Sequence, residues 1–143
     1  MKELHDITLY VDGSSLGNPG VGSAHWVMEH AGKKSPRYSC RLKEPGVTNN
    51  YAELAAMSYG LASLKAGILR QKSDPGTYRI RVMSDSKTAL AWLKKAPSMS
   101  VPKREALMRM RTHLEEIRKA FWGVSFEWHT GVGNPADPGY KER

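Results

Sequence analysis

Apolar and polar positions alternate near the start of the chain. Ile7, Leu9 and Val11 are interleaved with Thr8 and Tyr10, the period-two pattern of a strand with one buried face, and the run ends in Asp12-Gly13. A carboxylate is therefore expected at the end of a core strand. Gly13, Gly17, Asn18, Pro19 and Gly20 follow, a backbone suited to tight turning and to close approach by phosphates or hydroxyls. Residues 23–29 and 36–42 predict two more strands, joined by a hairpin at Ala31-Gly32-Lys33-Lys34. Together the three runs read as an antiparallel meander, with Pro36 marking the third as an edge strand.

The period then changes. Leu54, Met57, Leu61 and Leu64 recur at helical spacing within residues 51–66, behind N-cap chemistry at Thr48-Asn49-Asn50 and ahead of a stop at Gly67. Glu53 falls beside this apolar stripe in the expected first turn, where the helix dipole favours a carboxylate. Residues 78–83 predict a strand running into Ser84-Asp85-Ser86, and residues 86–95 a short helix with Ala89, Leu90 and Leu93 inward and Asp85 or Ser84 near its N-cap. A longer helix over 103–121 carries Leu107, Met110, Leu114, Ile117 and Phe121 on one face, and its many Lys and Arg residues read as a solvated outer face. Residues 123–128 form the last strand. Asp137, placed before Pro138, is suited to cap a further helix. The order βββαβααβ describes an α/β domain with a mixed sheet.

Composition narrows this picture. The 143 residues, 40% of them hydrophobic, are enough for one domain with a real core. Lys and Arg number 22 against 14 Asp and Glu, a formal charge of +8 that favours a polyanionic partner, either nucleic acid or an acidic membrane surface. The single cysteine, Cys40, excludes an internal disulfide and a thiolate cluster, and no apolar run is long enough to span a bilayer. With no apolar leader in residues 1–6, the expectation is a cytoplasmic protein with no membrane association.

Four acids stand out. Asp12 and Asp85 end two strands, Glu53 rides on a helix, and Asp137 lies in a Gly/Pro-rich tail. Carboxylates gathered in one place repel one another unless a hard divalent cation neutralises them, and oxygen-only ligation suits Mg2+ or Mn2+ rather than Zn2+. Two such ions side by side are the usual physical solution for phosphodiester hydrolysis. Spacing alone leaves open whether the four meet.

The blocks Tyr10-Val11-Asp12-Gly13-Ser14-Ser15-Leu16-Gly17-Asn18-Pro19-Gly20, Thr48-Asn49-Asn50-Tyr51-Ala52-Glu53-Leu54, Ser84-Asp85-Ser86-Lys87-Thr88-Ala89-Leu90 and Asn134-Pro135-Ala136-Asp137 resemble, in order, those of the type 1 ribonuclease H family. The resemblance implies a ribonuclease H-like fold, with a five-stranded mixed sheet of three antiparallel strands then two parallel ones, flanked by helices. A single catalytic domain over residues 1–143 without a separate hybrid-binding domain is the matching expectation, and a monomer is expected. It further implies a site of two Mg2+ or Mn2+ ions held by Asp12, Glu53, Asp85 and Asp137. The implied reaction is cleavage of the RNA strand of an RNA/DNA hybrid to 5'-phosphate and 3'-hydroxyl ends. Substrate contacts implied in the same way are the backbone of Gly13, Ser14 and Ser15 with Asn18, Asn49 and Asn50 for 2'-hydroxyls and bases, which is how RNA is told from DNA. Thr48, Asn50 and Ser100 correspond to a DNA-phosphate pocket, Trp92 to a contact on the DNA track, and Lys87 to a phosphate contact that positions without reading sequence. Trp92 is equally well spaced for ordinary core.

The chain also departs from that pattern. A Gly-His-x-Gly loop supplies a histidine for product release in many members, and here the stretch reads Gly131-Val132-Gly133. The acid that often precedes the last aspartate is replaced by Asn134 or Pro135, and the basic insertion used by some members to grip hybrid is absent. Two alternatives follow: a module of the same fold that binds hybrid with impaired catalysis, and a related nuclease acting on structured DNA.

Overall fold

In the computed structural model, which describes residues 3–139, the alternating N-terminal run forms strand β1, His5–Leu16. It does not stop at Asp12-Gly13, because β2, Val21–His30, pairs with it antiparallel from Ile7↔His30 to Leu16↔Val21. Asp12 consequently sits mid-strand, opposite His25, rather than at a strand end. Four residues, 17–20, make the turn, with Gly17 at φ +91.

The expected third strand divides into β3, Lys33–Lys34, and β4, Tyr38–Arg41, both antiparallel to β2. Pro36 falls in the break, where no ladder N–H is needed. The hairpin turn thereby contracts to Ala31-Gly32, both at positive φ. Strand β5, Tyr78–Ser84, runs parallel to β1 on its other side, and β6, Gly123–Trp128, runs parallel to β5. The sheet order is thus β3 and β4 beside β2, then β1, β5 and β6: an antiparallel half followed by a parallel half, flanked by helices.

Helix α1, Asn49–Arg70, starts behind Thr48, whose Oγ1 accepts from the Tyr51 N–H at 3.1 Å. Glu53 is therefore in the second turn, and the first turn has no acid. The helix does not stop at Gly67. One further turn buries Ile68 against the core, and burying an isoleucine, worth roughly 1.5–3 kcal/mol, exceeds the cost of about 1 kcal/mol for an internal glycine. Two glycines set how closely α1 lies on the sheet. A Cβ on Gly13 would fall 2.1 Å from the Ala52 carbonyl carbon, and one on Gly60 would fall 3.0 Å from Leu9 Cδ2.

Helix α2, Lys87–Lys94, is capped by Ser86, whose Oγ accepts from the Ala89 N–H at 3.0 Å, so neither Asp85 nor Ser84 supplies the cap. Helix α3, Arg104–Arg118, is shorter than expected at both ends. Leu107, Leu114 and Ile117 are buried on its inner face, and Phe121 is buried beyond its end. Two of its basic residues are structural: Arg104 Nε donates to the Pro97 carbonyl and Arg111 Nε to the Trp92 carbonyl, bracing the α2–α3 loop. The core lies between α1 and the sheet, around Leu9, Val11, Leu54, Met57, Leu61, Ile80 and Val82. Among the described residues no helix is long and apolar enough to cross a membrane.

Candidate active site

Parallel pairing of β1 with β5 ends at Tyr10↔Met83, and just beyond this point lie Asp12 on β1 and Asp85 directly after β5. Helix α1 passes over the same place because Gly13 lets it approach, and it delivers Glu53 from its second turn. One carboxylate oxygen from each of Asp12, Glu53 and Asp85 lies within 4.8 Å of the others. Three elements distant in sequence thus bring three acids to one point.

Glu53 is only 5% exposed. Burial pushes its carboxyl up to about 10, against the pull of a hydrogen bond from the Gly13 N–H, and the neighbouring Asp12 and Asp85 add to the rise. Asp12 is pushed up to about 6, first by burial and then by the charges of Asp85 and Asp137, while its hydrogen bond with Glu53 works the other way. The two carboxyls are hydrogen-bonded to each other, and burial disfavours ionising both. The Ser84 hydroxyl donates to Glu53 Oε2 at 3.4 Å. A compact set of oxygen-only donors, too repulsive to be fully ionised without a counter-charge, fits a hard divalent cation such as Mg2+ or Mn2+.

Asp137 is not among the three converging acids. Residues 134–139 are turns and bends rather than the start of a helix, and Asp137 Oδ1 accepts from the Gly139 N–H at 2.8 Å in a local turn. The segment is nonetheless tied to the site. Asn134, 2% exposed, donates from Nδ2 to the Val11 carbonyl and accepts from the Ala136 N–H, while Arg37 Nη1 donates to the Asp137 carbonyl at 3.2 Å. Asp137 also acts electrostatically on Asp12 and on His25, the buried cross-strand partner of Asp12. The His25 imidazole, held down in pKa mainly by burial, meets Ser39 Oγ at 2.7 Å. Val132, between Gly131 and Gly133, is 85% exposed. His129 is structural: its Nδ1 accepts from the Gly131 N–H and its ring edge meets Tyr10.

Beside the acids runs an open groove of about 420 Å³, lined by Asn49, Asn50, Glu53, Asp85, Ser86, Lys87, Thr88 and Trp128. Other substrate-contact candidates are engaged with one another. Asn18 Oδ1 accepts from the Asn49 N–H, and Asn49 Oδ1 accepts from the Ser15 N–H, linking the β1–β2 turn to the start of α1. Asn50 Oδ1 accepts from Ser86 Oγ at 3.1 Å. Ser14 pairs with Ser23 in the ladder, and the Gly13 N–H serves the acids. Thr48 caps α1, whereas Ser100 is exposed in the α2–α3 loop with its hydroxyl against that of Ser98. Trp92 packs partly buried on the core, so the tryptophan in the groove is Trp128, which sequence reasoning missed. Its signal was the register Ser84↔Trp128, which places it beside Asp85 once β5 and β6 are known to pair.

Comparison with known proteins agrees with this geometry. The RNase H family model matches residues 4–134. A ribonuclease H of Desulforamulus reducens is 29% identical over 139 residues, covering 92% of this chain and 80% of that protein. A ribonuclease H of Sulfurovum is 44% identical over 59 residues, 41% of this chain, and the matched part spans 38% of that protein's length. Among solved structures, RNase H1 of the halophilic archaeon Halobacterium salinarum superposes with a TM-score of 0.71 at 24% identity, covering 92% of this chain and 90% of that one. LC11-RNase H1, from compost and solved in complex with an RNA/DNA hybrid, gives a TM-score of 0.66 at 20% identity over 90% and 88% of the two chains. With three carboxylates gathered where β1, β5 and α1 meet, and the sequence matched by the family along nearly its whole length, the chain belongs to the RNase H family of enzymes.

Proposed function

We propose that this protein is an endoribonuclease that hydrolyses the RNA strand of RNA/DNA hybrids, using two Mg2+ or Mn2+ ions, to leave 5'-phosphate and 3'-hydroxyl ends. The observation that carries the reading is the meeting of Asp12, Glu53 and Asp85 at one end of an amide- and hydroxyl-rich groove. A neighbour of the same fold, solved with a hybrid, supports the substrate class. When bound, the ions activate a water and stabilise the leaving oxygen. Asp12, Glu53 and Asp85 hold them, with Asp137 as the fourth acid on the tethered tail. The side-chain amides of Asn49 and Asn50 present donors to ribose hydroxyls, the feature by which RNA differs from DNA. Lys87 meets a phosphate and positions the duplex.

Labelled hybrid, duplex RNA and structured or duplex DNA, each incubated with Mg2+ and with Mn2+, test the reading. Hybrid cleavage that Asp12→Asn abolishes is expected. Absence of hybrid cleavage by the unsubstituted chain ends it, and preferential cleavage of structured DNA moves the assignment to a related nuclease. One observation favours a second reading, a hybrid-binding module with impaired catalysis: Asp137 lies outside the converging trio. That reading requires tight, salt-sensitive hybrid binding with negligible turnover even in Mn2+.

A further inference from the structure

The basic groups of the protein differ in how they are engaged. Lys103, Arg79 and Arg81 pair with acids, as do Arg118 and Lys119. Lys87 has no ion pair among the described residues, although it stands two positions from Asp85 and lines the same groove. Its Nζ instead lies 4.5 Å from the centroid of the Trp128 ring. Each partner is fixed from a different direction. Lys87 is the first residue of α2, held by the Ser86 cap, and Trp128 is the last residue of β6, in register with Ser84. Trp128 is 47% exposed and lines the groove.

A cation resting on an aromatic face keeps its full charge and its capacity to donate hydrogen bonds, whereas a carboxylate partner would cancel the charge. The contact is also weak, about 0.5–1 kcal/mol at an exposed site, so a phosphate takes the ammonium without breaking a strong pair. We infer that Trp128 is a positioning residue for substrate: its ring holds the Lys87 ammonium away from the site acids and presents it, unpaired, to a backbone phosphate of the nucleic acid lying in the groove. This deepens the proposed function and rests on it. The consequence is unusual: removing an uncharged side chain lowers the salt dependence of nucleic-acid binding.

The test uses the full chain and a fluorescently labelled RNA/DNA hybrid. Binding is followed by anisotropy across a salt series with Mg2+, in an Asp12→Asn background that prevents turnover. Lys87→Ala loses one phosphate contact, about 0.7–0.9 in the slope of log affinity against log salt. Trp128→Ala is expected to lose about as much, the double variant no more than either single one, and Trp128→Phe, which keeps a ring, to retain most of the slope. Trp122→Ala removes the ring beneath Arg79 outside the groove and is expected to leave the slope unchanged. In the active background, Trp128→Ala is expected to raise KM roughly fivefold with kcat nearly unchanged, the mark of lost uniform binding. A Trp128→Ala slope equal to the reference, or losses that add in the double variant, overturns the inference while leaving the proposed function standing. Failure of the unsubstituted chain to bind hybrid overturns both.

Discussion

At the scale of single residues, Glu53 and Asp12 show what placing acids for metal binding costs the fold. Between the ordinary carboxylate range near 4 and about 6, the folded chain holds a proton on Asp12 that the unfolded chain has released, so stability falls as pH rises through that window. Asp12→Asn removes this penalty. Its Tm is expected to exceed that of the unsubstituted, metal-free chain by roughly 3–6 °C at pH 8, with the two converging below pH 4, while hybrid cleavage is lost. Equal melting temperatures at pH 8 would contradict the argument. A cation that binds only the ionised acids supplies the missing counter-charge, so Mn2+ is expected to raise Tm at pH 8 and to have little effect at pH 5, as differential scanning fluorimetry would register. Asn134 is the corresponding residue on the tail. Asn134→Ala leaves the Val11 carbonyl without its side-chain donor and frees residues 134–137, with an expected loss of about 1–3 kcal/mol and a drop in kcat if Asp137 serves the site.

Among the elements, α1 carries the site because nothing larger than hydrogen stands at Gly13. A methyl group there would overlap the Ala52 backbone, and neither β1 nor the helix has room to yield. Gly13→Ala is therefore expected to destabilise by about 3 kcal/mol or more and to displace Glu53, whereas Gly60→Ala, which faces the end of the Leu9 side chain rather than backbone, costs less. Chemical denaturation of both variants checks the order, and a Gly13→Ala protein as stable as its parent would contradict it. Gly13, read from the sequence as a place where the backbone is open to close approach, admits helix α1. Ser15 and Asn18 tie the β1–β2 turn to Asn49.

At the scale of the molecule, a sheet with one antiparallel and one parallel half leaves a gap where β1 separates from β5, and the acids collect there. The charge of +8 is not gathered at the groove, where Lys87 is the one basic residue of the lining, and Arg104 and Arg111 are engaged with the carbonyls of Pro97 and Trp92. Hybrid affinity is accordingly expected to depend on fewer phosphate contacts than the net charge suggests. A salt slope of about 3–5, rather than near 8, would reflect this in a titration of hybrid binding.

Periodicity by itself determined the order of elements, the buried stripe Leu54, Met57, Leu61 and Leu64 of α1 and the span of β6, because apolar spacing is a local property that burial enforces residue by residue. Motif order marked Asp12, Glu53 and Asp85. Element ends were less legible: β1 runs past Asp12 because β2 pairs with it, and α1 runs past Gly67 because Ile68 is buried, and both causes are contacts with distant residues. Only the tertiary structure brought Trp128 beside Lys87, set His25 across from Asp12 and made Asn134 the anchor of the tail. Each of these depends on strand register and on the return of the chain, which no stretch of sequence specifies alone.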